Sequence, residues 1–308
     1  MYIGNVFIED TFAEAFPMYA TRFLITAENK KWALIAAREA TGFATSIIMS
    51  PAEGGIEKVV SPSTTPDGRI GCLVQLYHRD PMNLKFQVLA RVGQCILTCP
   101  TTAAFDGLPK VRRRMKVGGA ISKFGDGFEK EDALNGRKIW RIPVMEGEFI
   151  VEDSFGVLKG VAGGNILILA KTHSAGLEAA EKSIKAIFKY GKHVITPFPG
   201  GIVRSGSKVG SLKYSRLGAS TNHYYCPTLK DIVEDTRLPP EVNSVLEIVI
   251  NGLTLEDVQE AMGIAIKAAA SVDGVVKIDA GNYGGRLGPY HIRLHESIEK
   301  VKNMNIDV

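Results

Sequence analysis

The strongest constraint on the fold is that the chain nearly repeats itself. Gly4, Glu9, Asp10, Phe12, Leu24, Ile25 and Ala27 recur 143 positions later as Gly147, Glu152, Asp153, Phe155, Leu167, Ile168 and Ala170. Leu34, Ala36 and Ala37 find Leu177, Ala179 and Ala180 at the same offset, and the similar pairs Ile8/Val151 and Thr11/Ser154 lie between them. A further echo, Pro51-Ala-Glu-Gly-Gly-Ile56 against Pro197-Phe-Pro-Gly-Gly-Ile202, is offset by 146, so a small insertion separates it from the rest. The period is about half the chain and far longer than solenoid repeats of roughly 20 to 50 residues. It predicts two related lobes.

Local patterning gives each half the same element order. In the first half, strands are expected near 6–8 and 22–27, a helix over 29–41 ended by Gly42, a turn at 51–56, a strand over 71–77, a helix over 81–93 with Asp80 as N-cap, and a last strand over 95–99. The second half repeats the order with strands at 166–170, 193–196, 245–250 and 275–278 and helices at 176–190 and 255–271, the last capped by Thr254. Each half reads βαβ, βαβ. That predicts an α+β protein of two related ferredoxin-like (split βαβ) α/β sandwich lobes, 1–143 and 144–308, with the boundary near Pro143.

Composition narrows the function classes. Among 308 residues, 45% are hydrophobic and 23% charged, which suits a globular chain of two domains, and a net charge of +4 is too small to argue for nucleic acid as a partner. Basic residues cluster only at Lys110, Arg112, Arg113, Arg114 and Lys116. The run lacks interleaved aromatics, so it reads as a solvated loop, with local attraction for an anionic substrate as the alternative. The N-terminal residues do not resemble a secretory leader, and no apolar run is long enough to span a bilayer. Four irregularly spaced cysteines, Cys72, Cys95, Cys99 and Cys226, do not make a disulfide scaffold; a reducing, cytoplasmic setting is expected.

Glu247 is the one charged residue in Ser244-Val-Leu-Glu-Ile-Val-Ile-Asn251. Strand alternation puts it on one face with Val245, Val249 and Asn251. With both faces buried, desolvation would raise its pKa and let it donate a proton near neutrality; facing water, it would be an ordinary strand acid. Two glycine-rich stretches stand beside it as candidates. The first runs from Pro197 through Gly200 and Gly201 to Arg204, Ser207 and Lys208, combining permissive backbone with hydroxyls and cations that suit anionic or carbonyl oxygens. It has neither P-loop nor dinucleotide-fingerprint spacing. The second, Ala280-Gly-Asn282-Tyr283-Gly-Gly285, offers an amide to hydrogen-bond and a ring to stack, or is a plain turn after a strand. Cys95 and Cys99 have no second pair, and His291 and His295 lie in a stretch that alternates like a strand, so no metal site is expected. No nucleophile elbow occurs, and no covalent nucleophile is inferred.

Long strings then carry a resemblance. Ile8-Glu-Asp-Thr-Phe-Ala-Glu-Ala-Phe16, Ala40-Thr-Gly-Phe43, Gly147-Glu-Phe-Ile-Val-Glu-Asp-Ser-Phe-Gly156, Pro197-Phe-Pro-Gly-Gly-Ile-Val203, Glu247-Ile-Val-Ile-Asn-Gly-Leu253 and Ala280-Gly-Asn-Tyr-Gly-Gly285 together closely resemble the formylmethanofuran:tetrahydromethanopterin formyltransferases over nearly the whole chain. The basic 110–116 run and the tail from Glu299 depart from that pattern. The resemblance implies a cytoplasmic enzyme of one-carbon metabolism that moves a formyl group reversibly between methanofuran and N5 of tetrahydromethanopterin, with both coenzymes as substrates and no prosthetic group. It also implies a homotetramer with clefts at subunit interfaces and no nucleic-acid or membrane partner. Glu247 matches an acidic residue proposed in the family to sit beside the formyl group. Asn251 on the same strand face is expected to orient the amide, and Arg204, Ser207 and Lys208 to hold an acidic substrate tail. Alternatives are the transferase subunit of a formyltransferase/hydrolase complex and a non-catalytic pterin-binding scaffold.

Overall fold

The computed structural model describes residues 1–307. Contacts within it divide the chain into two compact units, Met1–Pro17 with the chain from Val161 onward, and Met18–Gly160. Both mix helices with a β-sheet.

The first unit has the strand order Tyr2–Ile3, Val6–Ile8, Val275–Asp279, Leu158–Ala170, Ser244–Gly252, Val194–Ile195. Pairing is antiparallel except between Val6–Ile8 and Val275–Asp279, where Phe7 faces Lys277 and Ile8 faces Ile278 in parallel. Its two long helices, His173–Tyr190 and Leu255–Ala270, start on threonine caps: Thr172 accepts from Ala175 N, and Thr254 forms a reciprocal capping box with Asp257. Such caps typically contribute about 1 kcal/mol each. The first helix buries Gly176, Ala179, Ala180, Ser183, Ala186 and Ile187, a stripe at helical spacing. Its small side chains admit the second helix closely, and Ser183 Oγ donates across to Ala265 O at 2.9 Å. Under these helices lie Ile166, Ile168, Ile248, Ile250 and Ile278, each fully buried and each contributing about 2 kcal/mol of transfer free energy.

In the second unit the order is Glu53–Val60, Gly71–His78, Phe12–Thr26 (from Met18), Ala103–Asp106, Gly147–Glu152, Arg137–Val144, Lys130–Leu134. Helix Pro81–Arg91 begins on the expected cap, Asp80, while Asn29, expected as the first helical residue, is instead the cap of Lys30–Thr41 and accepts from Trp32 N. Ala33, Ala36, Ala37, Ala40, Leu84 and Val88 bury their inner faces. Residues 95–99 are not the closing strand. Val92–Ile96 is a π-helical turn that extends the second helix, with Val92 and Ile96 buried one turn apart, and the strand is Ala103–Asp106. Residues 51–56 are likewise more than a turn, since Glu53–Val60 pairs along Gly71–His78. Part of the basic run, Arg114–Lys116, is a strand paired with Ser154–Gly156, which buries Met115 and leaves both cations outside. Asn135 and Gly136, at φ 51° and 77°, make the tight turn of the hairpin Lys130–Leu134/Arg137–Val144.

The limits of the units, after Pro17 and after Gly160, are themselves 143 positions apart. The pairings share the same offset. Phe7 and Ile8 pair in parallel with Lys277 and Ile278 in one unit, and Ile150 and Val151, their equivalents, pair in parallel with Ala103 and Ala104 in the other. The sequence division at 143/144 falls inside the second unit, at Arg137–Val144, because Gly147–Glu152 is hydrogen-bonded to that strand and to Ala103–Asp106.

Candidate active site

All the candidate residues read from the sequence lie in the first unit. Glu247 is the fourth residue of Ser244–Gly252, flanked by backbone on both sides. It faces Leu167 on one side and Val203 on the other, and Leu167 in turn faces Asp279. The Ile248 and Ile250 side of the strand packs under the helices, while Val245 packs with Leu167, Leu169, Tyr225, Leu238 and Val242. Glu247 keeps only a partial opening to solvent, and its carboxyl takes part in no hydrogen bond or ion pair among the described residues. Burial alone pushes its pKa up to about 7. Of the two readings open at the level of sequence, the structure has the desolvated acid.

The segment after Gly201 lies directly against this strand. Val203 and Glu247 form an antiparallel bridge, so the residues that follow Val203 leave from the side of the acid. Arg204 is exposed and makes no hydrogen bond or ion pair among the described residues. Ser207 is exposed and begins the hairpin strand Ser207–Val209, which pairs with Ala219–Thr221. Lys208, half-buried, donates to Ser220 Oγ at 3.0 Å. Gly200 has φ 62° and open space where a Cβ would stand. Gly201, at φ 81°, is buried; a Cβ there would come within 2.5 Å of Ile184 Cδ1 and 2.6 Å of Thr196 Oγ1, so this glycine serves packing of the turn onto the helix His173–Tyr190.

The second glycine-rich loop is anchored rather than free. Asn282 Nδ2 donates to Thr11 Oγ1 at 2.9 Å and to Phe12 O at 3.1 Å. The Tyr283 hydroxyl donates to Ser207 O at 2.7 Å, tying this loop to the first. Burial, then the negative fields of Glu247 and Glu14, push the Tyr283 phenol up to about 12, so it stays a donor throughout the neutral range. Asn251 is fully buried and its Oδ1 accepts from Gly163 N at 3.1 Å, next to the bulge where Val161 and Gly164 shift register. That bond ties the strand that carries Glu247 to the neighbouring strand Leu158–Ala170.

Glu14 and Asn165 escaped the sequence reading. Glu14, 2% exposed, accepts from the amides of Tyr283 and Leu287, each at 2.8 Å, and from Gly285 N. Burial works against its charge, but the three amides and His291 outweigh it and hold the carboxyl below the ordinary value. Asn165 Oδ1 accepts from Gly281 N at 2.6 Å while its Nδ2 donates to Gly163 O and Gly281 O. Glu14 did leave a sequence signal, a lone acid between Ala13 and Ala15 on a strand, the pattern that drew attention to Glu247. Two surface grooves, of about 680 and 560 Å³, are lined by none of these residues. Among the described residues no group of three or more His, Cys, Asp or Glu is arranged to hold a metal ion, and no helix is long and apolar enough to cross a membrane.

The arrangement offers one desolvated acid without a partner, a phenol donor beside it and a free cation on the adjoining loop. That set suits protonation of an oxygen that becomes anionic during acyl transfer. Comparison with known proteins is consistent with such chemistry. Residues 1–144 match the family described as formylmethanofuran-tetrahydromethanopterin formyltransferase, and 147–297 match its partner description, "FTR, proximal lobe". The chain is 56% identical over 302 residues to the formylmethanofuran–tetrahydromethanopterin formyltransferase of Methanocaldococcus jannaschii, covering 97% of this chain and 100% of the relative. It is similarly 56% identical to that of Methanopyrus kandleri, covering 96% and 99%. Among solved structures, the Methanosarcina barkeri enzyme of the same description superposes with a TM-score of 0.94 at 52% identity, covering 96% of this chain and 100% of that one. A chain of the formyltransferase/hydrolase complex from Methylorubrum extorquens, solved with methylofuran, gives 0.92 at 47% identity, covering 97% and 98%.

Proposed function

The chain belongs to the formylmethanofuran–tetrahydromethanopterin formyltransferase family, and from that premise we propose that it moves a formyl group reversibly between formylmethanofuran and N5 of tetrahydromethanopterin, with Glu247 as the acid. The pterin N5 attacks the formyl carbon, forming the new C–N bond while the carbonyl π pair moves to oxygen. Glu247 donates a proton to that oxygen. Collapse re-forms the carbonyl, returns the hydroxyl proton to Glu247 and breaks the bond to the methanofuran nitrogen, which leaves as the amine with the proton lost by N5. The step uses no prosthetic group, and its gain beyond the acid comes from aligning two bound substrates. The observation that carries this reading is the unpartnered carboxyl of Glu247, raised to about 7 by burial.

Arg204, with Ser207 and Lys208 on the same loop, is assigned to the acidic tail of a substrate, supported by its exposure and lack of a partner. Gly200, Gly201, Asn282 and Tyr283 shape the two loops, and Asn251 acts through the strand it braces. The strand order in each unit supports the finer fold reading of two ferredoxin-like lobes from an internal duplication, with 1–143 and 144–308 as the duplicated sequences. Exposed Val209, Leu212, Tyr214 and Leu217 on and beside the 207–221 hairpin support burial of this surface in an oligomer, for which a homotetramer with clefts at subunit interfaces is the proposal. Four free cysteines support a cytoplasmic location.

The test is anaerobic transfer from formylmethanofuran to tetrahydromethanopterin, followed by formyl-pterin absorbance, with Glu247→Gln beside the wild type. A folded variant slowed by about a hundredfold with little change in apparent affinity supports both activity and acid role. An unimpaired variant removes the acid role and leaves the activity standing. The similarity to a chain of a formyltransferase/hydrolase complex favours one second reading, a transferase subunit working with a hydrolase. Formate release by the isolated chain's native assembly, but not by the chain alone, would distinguish it.

A further inference from the structure

Glu14 occupies a position that the transfer chemistry above does not use. It sits on Phe12–Thr26, opposite His291 of the strand Tyr290–Arg293, and is almost fully buried. A buried carboxylate on a strand is costly unless its oxygens are satisfied. Here they are met by three backbone amides of a single loop, those of Tyr283, Gly285 and Leu287, spaced two residues apart. Gly284 and Gly285, at φ 69° and 78°, give the loop the curvature that turns these N–H groups toward one anion, a conformation that L side chains adopt only with strain. The same loop is fixed at Asn282 through Thr11 and Phe12. From Tyr283 the connection continues: its hydroxyl donates to Ser207 O, and Val203, four residues earlier, exchanges backbone hydrogen bonds with Glu247.

We propose that Glu14 is a positioning residue, an internal anion that organises the Tyr283–Leu287 loop and through it holds Tyr283 and the Val203–Ser207 segment against Glu247. This rests on the reading of Glu247 as the acid. The role belongs to the charge as well as the shape of Glu14, because two oxygens serve three amides and a neutral amide side chain has one acceptor oxygen to offer. Its counterpart at the same offset is Val157, so the arrangement is particular to this unit and is not a shared feature of the repeat.

The experiment compares Glu14→Ala, Glu14→Gln, Glu247→Gln and the double variant Glu14→Ala/Glu247→Gln in the transfer assay, with melting curves for each. Misplacement of a catalytic group by about an ångström can cost on the order of a hundredfold, so Glu14→Ala is expected to lower kcat by roughly ten- to a hundredfold, with a smaller rise in KM because Arg204 and Ser207 lie on the same segment. Glu14→Gln should recover part of that loss. The double variant should be no slower than Glu247→Gln alone, since a misplaced acid and an absent acid remove the same contribution. Unchanged kcat in folded Glu14→Ala, or losses that multiply in the double variant, would overturn the inference while leaving the acid reading intact. If Glu14→Ala does not fold, Glu14→Gln decides: a kcat lowered by at least about threefold with melting unchanged supports the role, and an unchanged kcat overturns it. An unimpaired Glu247→Gln sinks the acid reading, and this inference with it.

Discussion

Val203 and Glu247 exchange both of their backbone hydrogen bonds, Val203 N to Glu247 O at 2.7 Å and Glu247 N to Val203 O at 3.0 Å. The pair fastens the glycine-rich turn, and the Arg204 that follows it, to the strand that carries the acid. Backbone pairing on both flanks also holds Glu247 in the interior of a sheet, where its carboxyl is desolvated without being compensated. Proton donation and the cost of keeping the acid therefore have one origin, and both are measurable.

The pH dependence of transfer follows from that origin. With its pKa raised to about 7, Glu247 is protonated below neutrality and able to donate; above it the donor is lost. The ratio kcat/KM, which reports groups of the free enzyme, should be level on the acid side and fall tenfold per pH unit on the alkaline side, with a midpoint near 7. An ordinary glutamate would give a midpoint near 4.3. A kcat/KM profile between pH 5.5 and 9 in constant ionic strength distinguishes them, and a flat profile across 7 contradicts the acid role.

Stability should follow pH in the same sense as the chemistry, with both favoured by the protonated acid. The folded pKa of Glu247 lies above the unfolded one, so the unfolded chain ionises first as pH rises. The contribution of the protonated group is fully present below the unfolded value and is lost as pH climbs through about 7. Replacing the carboxyl by a neutral amide removes the loss. Glu247→Gln is therefore expected to melt with the wild type near pH 4.5 and to be more stable at pH 8, by roughly 1 to 3 kcal/mol after allowing for the partial exposure of the side chain. Calorimetry at the two pH values checks it, and equal melting at pH 8 contradicts the burial argument.

Much of this was legible in the sequence, for reasons that differ by element. Asp80 and Thr254 were readable as caps because capping is a contact between residues three apart. Glu247 was readable because a single acid in an apolar strand is costly wherever the strand goes. Glu14 carried the same mark, but its partners lie about 270 residues later, and nothing local says that an anion will be wrapped by a glycine loop. Residues 95–99 misled because Cys95 to Leu97 is apolar enough for either a strand or the inner face of a helical turn; packing against the alanine-rich helix Lys30–Thr41 decided for the turn. The repeat announced two related halves, yet it could not reveal that the first 17 residues belong with the unit built mainly from the second half. Parallel pairing of Val6–Ile8 with Val275–Asp279 is a contact between opposite ends of the chain.

Adjacent glycines in one turn should respond differently to the same change. Gly200 and Gly201 both have positive φ, which costs a side chain roughly 1 to 2 kcal/mol. Only Gly201 also lacks room, with Ile184 and Thr196 where a Cβ would stand. Gly200→Ala is expected to lose about 1 kcal/mol, and Gly201→Ala a further 1 to 3 kcal/mol from overpacking. Pairing Gly201→Ala with Ile184→Val should recover part of the second loss, because the contact is with the end of that side chain. Chemical denaturation of the four proteins tests this; similar losses for the two glycines would mean that the turn, and not its contact with the helix, sets the requirement.

Arg204 separates binding from chemistry. Exposed and unpaired among the described residues, it has no structural task that its removal would disturb. Its proposed work is to attract an acidic substrate tail, an interaction made equally in the ground state and the transition state, so it lowers KM without raising kcat. Arg204→Ala should raise KM for the substrate it holds by roughly three- to tenfold, with kcat and melting temperature close to wild type, as befits one exposed ion pair. The difference between the two proteins should shrink as salt is raised from 0.05 to about 1 M, since screening shortens to about 3 Å at the upper limit. Initial rates over a grid of both substrates identify which KM moves. A fall in kcat with KM unchanged would instead put Arg204 at the reacting formyl group, and no change in either parameter at low salt would move the anion site away from this loop.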